Sequence, residues 1–174
     1  MKKFIVLLKG INVGGHKKVP MATLREILTE AGFTNVKTYI QSGNIALESA
    51  IKSKTNIETK IQKCIEENFG FNVSVLATTQ KELQLIFDSC PFSIEQKKAS
   101  YFFLLHNSPN IELVKIASEK EYENEEYLIL NNCIYYYFEK GLGKAKFNAN
   151  YFERKLNTFA TARNYNTMQK LLSL

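Results

Sequence analysis

The sequence predicts an α+β protein: two tandem ferredoxin-like subdomains packed together, each opening on a β-α-β-β unit, with extra C-terminal helices. Three observations predict it. Strand and helix signals over residues 1–78 follow the order β-α-β-β-α-β. SYFFLL at 100–105 echoes KFIVLL at 3–8, so the pattern restarts as an internal duplication. The apolar runs are short, and glycine, proline or asparagine punctuates them. The expected organisation is a first subdomain over 1–78, a helix and linker over 79–98, and a second subdomain over 99–174.

The elements follow in order. Phe4 to Leu8 is a continuous apolar run and reads as a buried strand. A glycine-rich loop, Gly10 to Gly15, comes next. Pro20 opens a helix on which Met21, Leu24, Ile27, Leu28 and Ala31 share one face, and Gly32 ends it. Val36 to Gln41 and Ile45 to Glu48 pair around Ser42-Gly43. Thr55 and Glu58 read as a capping box for a helix with Ile57, Ile61, Cys64, Ile65 and Phe69 inward, closed by Gly70. Asn72 to Leu76 is a further strand. Thr79 and Glu82 box a short helix over Gln80 to Phe87, and Cys90-Pro91 stops it. The stretch to Lys98 reads as irregular. Tyr101 to His106 is then a strand, and Ser108-Pro109 starts a helix carrying Ile111, Val114 and Ala117. Tyr127 to Leu130 and Ile134 to Phe138 form a hairpin on a type I′ turn at Asn131-Asn132. Asn150 to Leu156 is helical, and a last helix runs from Thr167 with Asn166 and Gln169 as its capping box.

Composition bounds the function. The chain has 174 residues, 45% hydrophobic and 23% charged, which suits a globular protein able to bury roughly 70% of its unfolded surface. Net charge is +6, which favours anionic partners. Cys64, Cys90 and Cys133 are scattered, with no zinc-ligand spacing, so no metal is expected and the cytoplasm is the expected location. Phe4 to Leu8 is too short for a signal peptide core, and no run reaches the length of a membrane span. No membrane association is expected.

Three polar motifs stand apart from core sequence: LKGINVGGHKKVP (Leu8 to Pro20), TYIQSGN (Thr38 to Asn44) and TARNYNT (Thr161 to Thr167). The first lies between a strand and a helix, where glycines let several backbone N–H groups face one anion, with Lys9, Lys17 and Lys18 adding charge. Its spacing matches neither GxGxxG nor a P-loop, so no nucleotide-binding fold is assigned. In the second, the Gln41 and Asn44 amides offer donors and acceptors, either to a ligand or to neighbouring loops. In the third, Arg163 and Asn164 precede a helix start, where free N–H groups and a planar guanidinium suit phosphate or carboxylate. Lysine and arginine outnumber acids from Lys140 to Lys170, while acids cluster from Glu119 to Glu126. Tyr101, Phe103, Tyr135 and Tyr137 read as sheet core rather than as a base-stacking stripe.

Taken together, GINVGGxxKVPMAxL, TYIQSGN and TARNxNTxxKL resemble the bacterial domain-of-unknown-function family 1697 (DUF1697), from Leu8 to Leu172. The resemblance implies a pair of ferredoxin-like subdomains and supplies no activity. The chain departs at Tyr165, where tryptophan is usual, and at Ala145, where serine would stand between two lysines. A hydroxyl nucleophile is therefore not available at that point.

The expected function is binding of a phosphate-bearing ligand, nucleotide or nucleic acid, where the three motifs converge between the two halves. Lys9, Lys17 and Arg163 would hold the anion beside the Gly14 and Gly15 N–H groups. Asn12, Gln41, Asn44 and Asn164 would read the neutral part. No cofactor is expected. One alternative is an enzyme acting on a small anionic substrate with His16 as acid/base. The other is a structural or interaction module without a ligand.

Overall fold

A computed structural model describes residues 1–174. It has an α+β fold with two four-stranded antiparallel sheets and seven α-helices. The chain forms two compact units, residues 1–84 with 170–174, and residues 85–169. No helix is long and apolar enough to cross a membrane.

The first unit holds β1 (Lys2–Leu8), α1 (Met21–Glu30), β2 (Thr34–Tyr39), β3 (Asn44–Ser49), α2 (Lys54–Phe69) and β4 (Val75–Thr78). Its sheet runs β2-β3-β1-β4. Phe4, Val6 and Leu8 alternate onto one face of β1 and meet Leu24 and Leu28 of α1 and Ile57, Ile61 and Ile65 of α2, all buried. Each such side chain contributes about 1.5–3 kcal/mol when fully removed from water. Ser53, not Thr55, caps α2, its hydroxyl accepting from the Asn56 N–H at 3.3 Å. Glu58 is instead buried and accepts from the Ala77 N–H at 2.8 Å, tying α2 to β4. A helix-face carboxylate facing a strand can serve either purpose, and spacing alone cannot separate them.

α3 (Gln80–Asp88) starts on the expected capping box. Thr79 accepts from the Glu82 N–H at 3.2 Å, and Glu82 accepts from the Thr79 N–H at 2.9 Å. The stretch read as irregular contains α4 (Ile94–Ala99), opened by a Ser93/Gln96 capping box that the sequence reading passed over.

The second unit continues with β5 (Tyr101–Leu105), α5 (Ile111–Ser118), β6 (Glu126–Leu130), β7 (Cys133–Tyr137), α6 (Ala149–Leu156), β8 (Ala160–Asn164) and the start of α7 (Tyr165–Ser173). Its sheet runs β6-β7-β5-β8. Phe103, Ile134 and Tyr136 pack with Phe147, Phe152 and Tyr127 into an aromatic core. In the β6–β7 turn only Asn131 takes a positive φ, +54°, so the turn is not type I′, which needs two. α7 begins at Tyr165 and is capped by Asn164, whose Oδ1 accepts from the Thr167 N–H at 2.9 Å; Asn166 is not the cap.

Two predictions come from this architecture. Gly43 has φ +75°, and a Cβ there would lie 2.6 Å from Leu8 Cβ. Gly70 shares that φ but faces open space. Gly43→Ala should cost roughly 2–4 kcal/mol by urea unfolding, and Gly70→Ala only about 1–2. Second, burial pushes the Glu82 carboxyl up, but the Lys54 ammonium and the Thr79 N–H and hydroxyl outweigh it and hold it at about 2. The stabilisation is thus complete above the unfolded value of about 4.3 and lost as pH falls towards 2. Half-exposure limits it to roughly 1 kcal/mol. Glu82→Gln should be less stable than wild type above about pH 5, with the gap closing near pH 2.

Candidate ligand-binding site

Three connections of the first unit share one end of its sheet: the β1–α1 loop, the β2–β3 turn and the segment entering β4. Antiparallel order dictates this, since β1 ends where β2 ends and where β4 begins. Hydrogen bonds bind the segments together. The Leu8 N–H donates to Gly43 O at 2.8 Å, and the Lys9 N–H donates to Ser74 O at 3.0 Å.

The Asn12 amide is the central fastener. Its Nδ2 donates to Val19 O at 3.0 Å and to Gln41 O at 2.8 Å, and its Oδ1 accepts from the Val19 N–H at 2.8 Å. One side chain thus closes the β1–α1 loop on itself and fixes it to the β2–β3 turn, the first motif to the second. Asn44, fully buried, does the same inside the turn, donating to Tyr39 O at 3.1 Å and Ser42 Oγ at 2.9 Å. Both amides, expected to read a ligand, here make hydrogen bonds within the chain. The Gln41 side chain is exposed.

Within the Asn12 clasp, Val13-Gly14-Gly15-His16 makes a tight turn. The His16 N–H donates to Val13 O at 3.0 Å, and Gly14 and Gly15 take φ of +58° and +78°, the pair a type I′ turn needs. Their own N–H groups donate to no atom of the chain. His16 is exposed. Lys17, held at φ +46°, reaches the segment before β4 and donates from Nζ to Asn72 O at 2.7 Å. An ammonium has three donors, so two remain. Lys9, Gly10, Lys17, Asn72 and Ser74 line a hollow of about 360 Å³. Asn72 and Ser74 were missed in the sequence because they contribute backbone carbonyls, which carry no sequence signature.

Two further residues at this end escaped notice. Val13 is 66% exposed and Ile40 51%. Ile40 also has φ +47°, a conformation that costs a branched residue about 1–2 kcal/mol. Apolar residues beside polar motifs read as core in a sequence, and only the backbone geometry shows them turned outward.

The third motif belongs to the second unit. Arg163 lies on β8, 6% exposed, and its Nη1 donates to Thr161 Oγ1 at 2.8 Å and Ala162 O at 2.7 Å. Burial lowers its guanidinium to about 10, so it stays charged at neutral pH. Asn164 caps α7, as described. Tyr101 and Phe103 lie on one face of their sheet and Tyr135 on the other, where its hydroxyl donates to Ile86 O at 2.7 Å. They form sheet core, as expected. Within the acidic run, Glu125 is buried and accepts from Tyr136 Oη at 2.8 Å, the Lys146 N–H at 2.6 Å and the Phe147 N–H at 3.0 Å. Burial and this carboxylate push the Tyr136 hydroxyl well above its usual range. No three His, Cys, Asp or Glu side chains gather as a metal-binding group.

Replacing Asn12 with alanine should remove the clasp at a cost of about 2 kcal/mol. Hydrogen exchange checks it: the Val19 amide should exchange at least tenfold faster, while β1 amides keep their protection.

The family described as "Protein of unknown function (DUF1697)" matches residues 1–135, a range that includes the first two motifs and ends before the third. Among solved structures, the conserved bacterial protein SP0830 from Streptococcus pneumoniae is similar at 25% identity and TM-score 0.78, over 99% of this chain and 97% of that one. Comparison with curated proteins gave no match.

Proposed function

The chain belongs to the DUF1697 family, and from that premise we propose that the loop end of its first unit binds a phosphate-bearing ligand, a nucleotide or nucleic acid. The observation that carries the reading is the pair of unpartnered Gly14 and Gly15 N–H groups, held in a tight turn that runs on to Lys17, which lines a hollow together with Lys9. Backbone donors fixed in advance lose little entropy on binding, and lysine ammoniums supply the charge that attracts phosphate. Asn12 positions the loop, and Gln41 remains exposed to meet the neutral part of the ligand. Arg163 and Asn164 drop out of the reading, because each already has a role inside its own unit.

Each unit reads as a ferredoxin-like fold, and the pair as an internal duplication. Supporting this is the same sheet order twice, with the first and third strands of each unit central. Three free thiols accord with the reducing cytoplasm as the place of action.

Titration with ATP and with a short single-stranded RNA tests the function. Binding should weaken at least tenfold between 50 and 200 mM salt for the RNA, since several phosphates are contacted. Lys9→Ala/Lys17→Ala should lose most of the affinity for either probe, with its melting temperature followed in parallel. No binding of either probe at 50 mM salt, or equal binding by a folded double variant, overturns the proposal.

A further inference from the structure

His16 closes the turn that carries the Gly14 and Gly15 N–H groups, yet its side chain bonds to nothing in the chain. Val13 and His16 form an isolated antiparallel bridge across Gly14-Gly15, and the His16 N–H donates to Val13 O at 3.0 Å. One step back, the Asn12 N–H donates to Lys17 O at 3.2 Å. Opposed residues of such a two-residue hairpin direct their side chains to one face, with Cβ atoms about 4.5–5.5 Å apart. Val13 and His16 therefore share a face of the turn, and both are exposed, Val13 at 66%.

The imidazole keeps close to the glycines. A Cβ built on Gly14 would stand 3.8 Å from His16 Cδ2, an ordinary van der Waals distance. The two histidines of the chain differ in this setting. His106 is stacked on Phe159 with ring centroids 4.6 Å apart, whereas no aromatic ring of the chain covers His16.

A bare phosphate does not account for this surface. The Gly14 and Gly15 N–H groups and the Lys9 and Lys17 ammoniums answer to negative charge. A planar ring paired with an exposed valine answers to a flat, weakly polar face. A nucleobase is such a face, and one sugar separates it from its phosphate. Histidine is among the side chains on which unstacked bases lie. The Gln41 amide, exposed on the turn that Asn12 ties to this loop, suits the edge of a base.

We infer that the His16 imidazole is the stacking platform for the base of a ligand whose phosphate sits at the Gly14-Gly15 turn. This assignment rests on the phosphate binding proposed for the same loop and narrows it. The ligand presents an unstacked nucleobase, as a free nucleotide or a single strand does and a duplex does not. His16 acts through its ring face and transfers no proton.

The test uses the full chain and four probes: ATP, inorganic tripolyphosphate, a single-stranded hexaadenylate and a short RNA duplex. Tripolyphosphate carries the phosphates of ATP without the base. His16→Ala should weaken ATP or the single strand at least fivefold, the low end of what base–aromatic stacking supplies. Tripolyphosphate and the duplex should stay within twofold of wild type. Loss for ATP alone names a free nucleotide, and loss for the hexamer names a single strand. His16→Phe keeps a stacking face without ring nitrogens and should bind at least as tightly as wild type; a role in proton transfer would vanish with the nitrogens. Both variants should melt with the wild type, since the ring has no partner in the chain. Equal loss for ATP and tripolyphosphate, an unchanged affinity of His16→Ala for both ATP and the single strand, or failure of His16→Phe to bind overturns the stacking role while the phosphate site stands. No binding of any probe by the wild type overturns both.

Discussion

The loop end of the first unit depends on the Asn12 side-chain amide. Without its three hydrogen bonds, Val19 and Gln41 would leave backbone groups unpaired, and the glycine turn between them would have no fixed orientation. With them, a segment rich in glycine and lysine, the composition of a mobile loop, presents its donors in one geometry. Entropy is the reason this matters: a loop that must be ordered by its ligand binds more weakly than one already ordered.

The second unit solves a similar problem with the opposite chemistry. Glu125 accepts two successive backbone N–H groups, from Lys146 and Phe147, and so fixes the lysine-bearing connection before α6. The Phe147 ring then drops between Phe103, Tyr136 and Phe152. One buried carboxylate thereby links an acidic tract to a basic one and seals an aromatic core. In both units a single polar side chain, satisfied by backbone, determines where an entire connection lies.

Much of the fold was legible because hydrophobic period is a local property. β1, α1, α2 and the β6–β7 hairpin are all visible in runs of neighbouring residues. α4 and β8 were not. α4 has no buried residue and hence no apolar stripe to read. β8 reads ATARN, small and polar, and becomes a strand through pairing with β5 rather than through its own preference. The site was half legible for the same reason. Glycine spacing announced a special backbone, but whether Asn12, Asn44 or Arg163 faces ligand or protein depends on residues distant in sequence, such as Gln41, or on the packing that buries it. Helix caps failed similarly: at Thr55 and Asn166 an equally good hydroxyl or amide stood two residues earlier, at Ser53 and Asn164, and took the role.

At the β8–α7 junction, strand gives way to helix between Asn164 and Tyr165 with no intervening residue. A joint without slack tolerates neither insertion nor deletion, since one residue more or less would rotate the whole of α7 by about 100° about its axis. The loops at the Asn12 end are held by particular residues instead: the Asn12 amide closes them, and Gly14, Gly15 and Gly43 take positive φ there. The splice therefore fixes the spacing of the chain, whereas the Asn12 end fixes the identity of its residues.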